Sequence, residues 1–456
     1  MSPLKREIRK LVSLGAPVAG AQVGTMLLGF VDTIVVGRVS VEAMAAAALA
    51  NVWIFGTLMF ANGVIFGLDP IVAQAHGARD GARAGLALQQ GTLLALLLSV
   101  PLALLWTGTG AFLRLAGQDP ALARAAHQFT LVQIPSIPFF LGFAALRQYL
   151  QGRELMRPAL WVILIANVWN LFFNWVLVFG HLGAPALGLV GSGLATCLSR
   201  IFSCLALAGL VGGLGLHRDA WVPWGRAAFA WRGLLPVVAI GLPVAIQISL
   251  EIWAFSAAAL LAGLLGPVPL AAHTIALNLA SLSFMLPLGL SQGAATRVGN
   301  LIGARQPEDA QRAAWVALGL GAGVMTLSAL AFVTLRHALP RIYTPDAAVV
   351  AAAAAVLPIA AAFQIFDGTQ VVGCGILRAM GRVRPAATFN LIGYWVLGLP
   401  IGGWLALRSD WGLAGIWWGL CCGLALVAIS LVLWVRTRGP RTAAVLVAAR
   451  EALPAP

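Results

Sequence analysis

Residues 15–19 read GAPVA and residues 241–245 read GLPVA, so a short proline-centred motif recurs 226 positions along the chain. Other pairs of motifs recur at distances between 224 and 227. They are Gly63 and Gly67 with Gly289 and Gly293, Gly77-Ala78-Arg79 with Gly303-Ala304-Arg305, Arg157-Pro158-Ala159 with Arg384-Pro385-Ala386, and Gly188-Leu189 with Gly412-Leu413. A steady distance over so many places indicates two homologous halves.

Both halves consist mostly of long apolar runs. The 456 residues are 60% hydrophobic and only 10% charged, with a mean hydropathy of +0.91, whereas soluble proteins carry about 25% charged residues. Apolar runs of about 20 residues predict membrane-spanning helices. Twelve such runs occur, at 11–37, 44–74, 86–112, 122–148, 158–180, 187–213, 233–262, 268–300, 312–335, 347–377, 386–407 and 412–435. We predict an all-α polytopic membrane protein with twelve transmembrane helices in two homologous six-helix lobes.

The lobes are predicted at residues 1–214 and 233–456, joined by a cytoplasmic linker at 215–232. Because each lobe has an even number of spans, both insert in the same direction, as in parallel repeats. The repeated Gly-x-x-x-Gly pairs would let neighbouring helices approach closely.

The net charge of +14 would suggest nucleic-acid binding in a soluble chain. Here the basic residues lie between apolar runs, and cytoplasmic loops of membrane proteins are enriched in Lys and Arg. Of 29 basic residues, Arg200 lies within a span and six fall on the outer side, namely Arg38, Arg114, Arg124, Arg336, Arg341 and Arg408. The other 22 fall on the inner side. We therefore expect a protein of the bacterial inner membrane with both termini in the cytoplasm, in contact with lipid and not with nucleic acid.

Acidic residues inside the spans are candidates for function, because a carboxylate at a helix centre costs about 2.5–3.5 kcal/mol. Four acids lie within spans: Asp32, Asp69, Glu251 and Asp367. Asp69 precedes Pro70 near a span end, where capping or hydrating a kink is the simpler interpretation. Asp32, Glu251 and Asp367 have no acidic counterpart at the repeat distance. They therefore do not belong to the shared scaffold and are better explained by an ion or a substrate.

Asp32 has candidate partners in the fifth span. Asn170 and Asn174 are four residues apart and share one helix face. A carboxylate with amide oxygens suits a dehydrated sodium ion or an acid that carries a proton. The alternative is that these amides only bond one helix to another. Pro17 precedes Asp32 in the first span and is expected to kink that helix.

Motifs for enzymatic chemistry are not convincing. The two lysines, Lys5 and Lys10, lie at the N-terminus, which excludes a P-loop. Residues 289–293 match G-x-S-x-G but lie in an apolar helical run, whereas a nucleophile elbow requires a strand before the serine. The six histidines are scattered without HExxH spacing. We predict a protein that is not an enzyme and has no cofactor and no metal centre.

Several longer stretches resemble one family of membrane transporters. They are GFVDTIVVGRVS at 29–40, GLDPIVAQAHGARD at 67–80, RPALWVILIANVWNLFFNWVLVFGHLGAPALGLVGSGLAT at 157–196, GLPVAIQISLEIWAF at 241–255, LAAHTIALNLASLSFMLPLGLSQGAATRVGNLIGA at 270–304 and AAFQIFDGTQVVGCGILRAMGRVRPA at 361–386. Over essentially its whole length the chain resembles the multidrug and toxic compound extrusion (MATE) family, in its NorM-like branch. The resemblance implies two six-helix lobes that form a V around a central cavity.

The resemblance also implies roles for single residues. Asp32 aligns with the acid of the first helix, Pro17 with the proline at which that helix bends, and Asn170, Asn174 and Thr196 with a polar cluster of the N-lobe. Glu251 and Asp367 align with the C-lobe acids proposed to bind a cation. Phe363 stands where NorM-like proteins commonly have tyrosine, which puts sodium coordination in the C-lobe in question.

The expected function is antiport. Amphipathic, often cationic drugs and dyes would leave in exchange for Na⁺ or H⁺, through alternating access in a monomer. Trp53, Trp169, Phe363 and Gln364 are candidates to line the substrate cavity, where an aromatic ring can stack on a cation. The alternatives are a flippase for lipid-linked oligosaccharides or peptidoglycan precursors, which would be expected to have a basic cavity, and an integral membrane enzyme.

Overall fold

A computed structural model describes residues 2–409 and 411–442, which form helices joined by turns and loops and contain no β-strand. The first half contains α1 (Pro3–Gly37), α2 (Val41–Ile65), α3 (Leu68–Gly77), α4 (Gly81–Thr107), α5 (Thr109–Leu115), α6 (Pro120–Leu131), α7 (Ile137–Gly152), α8 (Arg157–Phe179) and α9 (Gly188–Gly213). The second half contains α10 (Arg226–Phe229), α11 (Trp231–Leu264), α12 (Pro267–Gly303), α13 (Pro307–Thr334), α14 (Ala347–Ala379), α15 (Arg384–Asn390), α16 (Leu399–Arg408) and α17 (Gly412–Arg438). A π-helical segment, Leu391–Gly398, joins α15 to α16.

Twelve helical stretches in the described part of the chain are long and apolar enough to cross a membrane. Each overlaps one of the twelve predicted spans, so the predicted fold class is confirmed. The largest boundary difference is at the first span, which is predicted to begin at residue 11, whereas α1 begins at Pro3. The third span, predicted at 86–112, is displaced at both ends, since α4 begins at Gly81 and ends at Thr107. The chain then turns at Gly108 into the short helix α5.

Acids at the ends of spans have structural roles. Asp80, Asp119 and Asp346 cap α4, α6 and α14, each accepting backbone N–H bonds from the first helical turn. Asp69 lies in the first turn of α3, just after the break between α2 and α3, and is electrostatically coupled to the buried Arg147. This position agrees with its interpretation as a residue of the kink.

The repeat is visible in the backbone. Arg79 and Arg305, which end the two Gly-Ala-Arg motifs, adopt left-handed φ values of 59° and 58°. Gly188 and Gly412, at the start of α9 and α17, have φ values of 53° and 52°. Nearly equal left-handed φ values at matching positions, which are uncommon for arginine, show that the two halves share local structure as well as sequence.

The contacts divide the chain into two compact units. Unit A contains residues 20–76 and 80–245, and unit B contains 77–79 and the described residues among 1–19 and 246–456. Helix α1 therefore passes from unit B to unit A after Ala19, and α11 passes from unit A to unit B after Ala245. The repeat predicts lobes at 1–214 and 233–456, whereas the contacts assign the first part of α1 and the first part of α11 each to the other half's unit.

The repeated glycines explain this exchange. In unit B a Cβ at Gly289 would lie 2.5 Å from the Cβ of Ala19, and in unit A a Cβ at Gly63 would lie 2.5 Å from the Cα of Ala245. Ala19 and Ala245 are themselves equivalent positions of the repeat. The motif that opens each half thus packs on the glycine pair of the other half, where the missing side chain permits close approach of the helices.

The predicted linker is anchored to unit A. Arg153 donates to the hydroxyl of Tyr149 at 2.8 Å and forms an ion pair with Asp219. The same Tyr149 hydroxyl donates to the carbonyl of Ala220 at 2.7 Å, and Gln89 donates to the carbonyl of Val222 at 2.6 Å. Desolvation opposes ionisation of Asp219, but hydrogen bonds and the charge of Arg153 hold its pKa below the ordinary 3.8.

Candidate functional site

The first candidate site surrounds Asp32 on α1, within unit A. Asn174 of α8 donates its Nδ2–H to Oδ1 of Asp32 at 2.8 Å, and Thr196 of α9 donates its hydroxyl to Oδ2 at 2.7 Å. Only 9% of Asp32 is exposed. Three helices thus converge on one buried carboxylate, and both carboxylate oxygens accept a hydrogen bond.

The two asparagines of this site also contact each other. Nδ2 of Asn174 also lies 3.1 Å from Oδ1 of Asn170, one turn earlier on α8. Nδ2 of Asn170 and Oδ1 of Asn174 are buried and have no hydrogen-bond partner among the described residues. A buried amide oxygen without a partner beside a carboxylate can coordinate a hard cation or accept a hydrogen bond.

A cavity of about 50 Å³ adjoins Asp32. Asn51, Phe129 and Ser192 line it together with Asp32 itself, and the hydroxyl of Ser192 is buried without a partner in the described structure. This volume accommodates one water molecule or one small cation.

Arg200 lies one helical turn beyond Thr196 on α9. It donates to Oε1 of Gln133 at 3.1 Å and to Oγ of Ser136 at 3.3 Å, and its guanidinium lies 5.5 Å from the ring centre of Phe140. Arg200 and Asp32 attract each other electrostatically. The sequence shows Arg200 within a span but does not show that Gln133 and Ser136, in the segment between α6 and α7, solvate it.

The second candidate site lies in unit B around Glu251 of α11. Gln370 of α14 directs its Nε2 at Oε2 of Glu251, 3.4 Å away, and donates to Oδ1 of Asn390 at 3.0 Å. Asp367 precedes Gln370 by three residues on α14, is 4% exposed, and its Oδ1 is buried without a partner in the described part of the chain. Asp367 and Glu251 repel each other electrostatically. Asp367 is thus a buried carboxylate beside the half-buried Glu251, and a proton or a cation that offsets their charge would stabilise this arrangement.

An aromatic wall borders the second site. Phe363 is 1% exposed, and its ring packs edge-on against Phe255 at 6.0 Å and Trp417 at 5.7 Å. Gln364 is completely buried, and both its amide atoms lack partners among the described residues. Phe363 and Gln364 are thus close to Asp367 along α14.

The two predicted tryptophans are placed elsewhere. Trp53 stacks on Phe112 with ring centres 4.3 Å apart, and Trp169 is 39% exposed and packs against Phe173 and Phe202. Neither lines the cavity beside Asp32. A role in substrate binding remains a prediction for both.

The structure therefore brings together Asp32, Asn170, Asn174 and Thr196 in unit A, and Glu251 with Asp367 in unit B. Their role in coupling remains a prediction. No group of three or more His, Cys, Asp or Glu side chains with metal-binding geometry occurs in the described residues. Sequence reasoning missed Gln370 and Asn390, which bond each other beside Glu251. Gln370 could have been found from its spacing of three from Asp367.

The family model MatE matches residues 17–176 and 243–404. The chain therefore belongs to the MatE family. The two matches begin at Pro17 and Pro243, the same repeat distance of 226 that the opening motifs show.

Curated relatives extend this assignment to nearly the full chain. This MatE protein is 37% identical over 448 residues to a probable multidrug resistance protein NorM of Mesorhizobium japonicum, covering 95% of this chain and 94% of that protein. It is 36% identical to the multidrug resistance protein NorM of Burkholderia vietnamiensis, with 94% of each covered. The multidrug resistance protein MdtK of Edwardsiella ictaluri is 34% identical, with 94% of this chain and 95% of that one covered.

A solved structure confirms the fold of this MatE protein. The eukaryotic MATE transporter AtDTX14 superposes with a TM-score of 0.89 at 24% identity, covering 98% of this chain and all of that one. The predicted family resemblance is thus confirmed, and the protein is an integral membrane protein. Its relatives are named as resistance proteins and transporters rather than as enzymes.

Proposed function

We propose that this MatE protein is a multidrug efflux antiporter that exports amphipathic, often cationic organic compounds in exchange for Na⁺ or H⁺. Relatives named as multidrug resistance proteins over some 94% of the chain support the substrate class. The coupling mechanism is proposed because the Asp32 carboxylate is buried on α1, where it accepts hydrogen bonds from Asn174 and Thr196.

The energetics of Asp32 explain how an ion drives transport. An ionised carboxylate at membrane depth is costly, and two hydrogen bonds offset only part of that cost. A proton or a cation bound at Asp32 neutralises the carboxylate charge. It thereby stabilises the conformation in which the site binds that ion most tightly. Transport follows if the ion and the drug prefer different conformations, because each then displaces the equilibrium that the other favours.

The protein acts in the bacterial inner membrane with both termini in the cytoplasm, as the distribution of 22 basic residues against six supports. Arg450, one of the 22, lies outside the described residues. The transporter works as a monomer in contact with lipid, without a cofactor. Its small-molecule partners are drugs and dyes.

The test compares Asp32→Asn with the wild type in proteoliposomes. Efflux of a cationic dye is followed under an imposed Na⁺ gradient and, separately, under an imposed pH gradient. Asp32→Asn keeps the side-chain size and two hydrogen-bonding atoms but removes the charge that the ion neutralises. Asp309→Asn is the matched control, because Asp309 pairs with Arg312 on an exposed surface, where an ion pair contributes little.

Wild-type protein and Asp309→Asn are expected to drive dye efflux under at least one gradient, and the gradient that works names the coupling ion. Asp32→Asn is expected to lose gradient-driven efflux while reaching the wild-type level in the membrane. Normal efflux by Asp32→Asn would refute the coupling role of this site. Absence of dye movement by the wild type under both gradients would refute antiport of such compounds.

A further inference from the structure

The loop between α13 and α14, residues 335–346, concentrates positive charge on the side of the protein that we expect to face outwards. Loops on that side of a membrane protein carry fewer basic residues than cytoplasmic loops. Arg336 and Arg341 are two of the six basic residues expected there, and His337 lies between them in the chain. The orientation of the protein in the membrane does not explain this cluster, because basic residues at this place oppose it.

A cavity of about 740 Å³ lies beside the loop, within unit B. The loop contributes Arg336, His337 and Arg341 to its lining, and the first turns of α14 contribute small apolar residues, among them Ala351 and Ala355. We call this cavity the basic groove. Its volume falls in the range of sites that bind small molecules. A lining that is basic in the loop and apolar on the helix suits a ligand with an anionic part and an apolar part.

The positive charge of the basic groove is not neutralised within the described structure. Arg336 donates its Nε–H to Nε2 of His337 at 3.2 Å, which leaves the terminal donors of this exposed guanidinium unused. Arg341 is exposed as well, and neither arginine forms an ion pair with a carboxylate of the described residues. Asp346, the acid of the loop, accepts two backbone N–H bonds from the first turn of α14. A guanidinium with unused donors can hold a phosphate through two parallel hydrogen bonds.

The other residues of the loop indicate its depth in the membrane. Leu339 packs against the apolar core of unit B, and Pro340 is buried. Ile342 and Tyr343, which follow, are 77% and 47% exposed. Tyrosine is enriched at the membrane–water interface, and an exposed isoleucine beside it has a favourable environment in lipid. The basic groove is therefore expected to open at the level of the lipid headgroups.

We propose that the basic groove binds an anionic phospholipid of the outer leaflet. Arg336, His337 and Arg341 hold its phosphate, and the alanines at the start of α14 contact its acyl chains. A free phosphate would satisfy the arginines but would leave the apolar lining uncovered, which favours a lipid over a soluble anion. None of the residues of the basic groove belongs to the sites around Asp32 and Glu251, so the proposal does not depend on what the protein transports.

The homologous half supplies a matched control. The acids that cap α6 and α14 are 227 positions apart. At this distance Arg341 corresponds to Arg114 of unit A, which is also exposed. Arg336 corresponds to Thr109, so the equivalent place in unit A lacks the second arginine. Replacing Arg114 and the exposed Arg124 thus removes the same amount of outer charge without touching the basic groove.

Native mass spectrometry of the purified protein in detergent measures lipid binding. Wild type, Arg336→Gln/Arg341→Gln and the control Arg114→Gln/Arg124→Gln are each titrated with three compounds. Phosphatidylglycerol is anionic, and phosphatidylcholine with the same acyl chains is zwitterionic. Glycerophosphoglycerol has the headgroup of phosphatidylglycerol without the chains and represents a soluble phosphate.

Wild-type protein and the control variant are expected to bind phosphatidylglycerol about tenfold more tightly than phosphatidylcholine. Arg336→Gln/Arg341→Gln should lose this preference. A wild type without the preference, or a preference that persists in Arg336→Gln/Arg341→Gln, overturns the proposal. If glycerophosphoglycerol binds as tightly as phosphatidylglycerol, the groove is a site for soluble anions and the assignment to a lipid is wrong.

A second pair of variants tests the apolar part of the groove. Ala351→Trp places a large side chain inside it, whereas Ala348→Trp places the same side chain on α14 outside its lining. Both alanines are exposed, so neither change disturbs the core of unit B. Ala351→Trp should weaken binding of phosphatidylglycerol on the order of tenfold relative to Ala348→Trp. Equal binding by the two variants would show that the lipid lies elsewhere and would contradict the proposal.

Discussion

Gly63→Ala should destabilise unit A although alanine is the better helix former. A Cβ at Gly63 would lie 2.5 Å from the Cα and 3.0 Å from the backbone nitrogen of Ala245 on α11. Because backbone atoms cannot rotate away as a flexible side chain can, α2 and α11 must separate by about 1 Å to reach an ordinary carbon–carbon distance.

The expected magnitude follows from two opposing effects. Inserting a methyl group into a tightly packed contact costs about 1–3 kcal/mol, and a clash with backbone belongs at the upper end. Replacing glycine by alanine within a helix returns up to about 1 kcal/mol. The net loss for Gly63→Ala is therefore about 2 kcal/mol. Gly56 on the same helix has no atom within 4 Å of an added Cβ, so Gly56→Ala should gain up to about 1 kcal/mol.

Tryptophan fluorescence during heating in detergent measures the difference, with one scan rate for all variants because unfolding is expected to be irreversible. Gly63→Ala should unfold on the order of 5 °C or more below Gly56→Ala. Gly289→Ala, at the equivalent position of unit B, should behave like Gly63→Ala, since its Cβ would lie 2.5 Å from the Cβ of Ala19. If Gly63→Ala unfolds at or above the temperature of Gly56→Ala, the proposed exchange of helix segments through glycine contacts is refuted.

Two further predictions concern polar contacts. Thr196→Val keeps the side-chain shape but removes the hydrogen bond to Asp32, which contributes about 1.5–3 kcal/mol when the acceptor is charged. Because the ion-free state then has a higher free energy, dye efflux should saturate at a lower concentration of coupling ion and should have a lower turnover rate. Thr326→Val is the control and should match the wild type in both quantities, because the Thr326 hydroxyl bonds only its own helix. Asp219→Asn should make the unfolding temperature less sensitive to acid. The lowered pKa of Asp219 stabilises the fold above pH 3.8, and this contribution is lost as the pH falls further through the folded-state pKa. Between pH 6 and pH 3, the unfolding temperature of the wild type should therefore fall slightly more than that of the variant.

The twelve membrane spans and the residues around Asp32 in unit A could be predicted from the sequence for physical reasons. Lipid requires about 20 apolar residues per helix, so each of the twelve runs overlaps one of the twelve observed spans, with boundary errors of up to eight residues. Asp32 stands out because a buried acid is costly, and Asn170 and Asn174 because their spacing places them on one helix face. These properties are local or depend on one residue type.

The exchange of helix segments and the buried environment of Tyr394 depend on tertiary packing. Ala245 and Gly63 are 182 positions apart, and nothing in either motif states which half it packs against. A tyrosine in an apolar run resembles a residue of the membrane interface. Only the folded structure shows that Tyr394 is buried in a π-helical segment and that its hydroxyl has no hydrogen-bond partner among the described residues.

Helices α1 and α11, which carry Asp32 and Glu251, each extend through both compact units. Asp32 and Glu251 lie on these helices, each beyond the point at which its helix leaves one compact unit and enters the other. Pro17 and Pro243 precede those points by two residues, and a proline removes a backbone hydrogen bond and so lowers the cost of bending there. Each acid is bonded within a single unit, Asp32 in unit A and Glu251 in unit B, while its helix is anchored in both. We therefore expect a change in charge at either acid to act on a helix segment whose other end is held by glycine contacts in the second unit. We propose that ion loading, if it occurs at these acids, changes the geometry of α1 or α11 in this way.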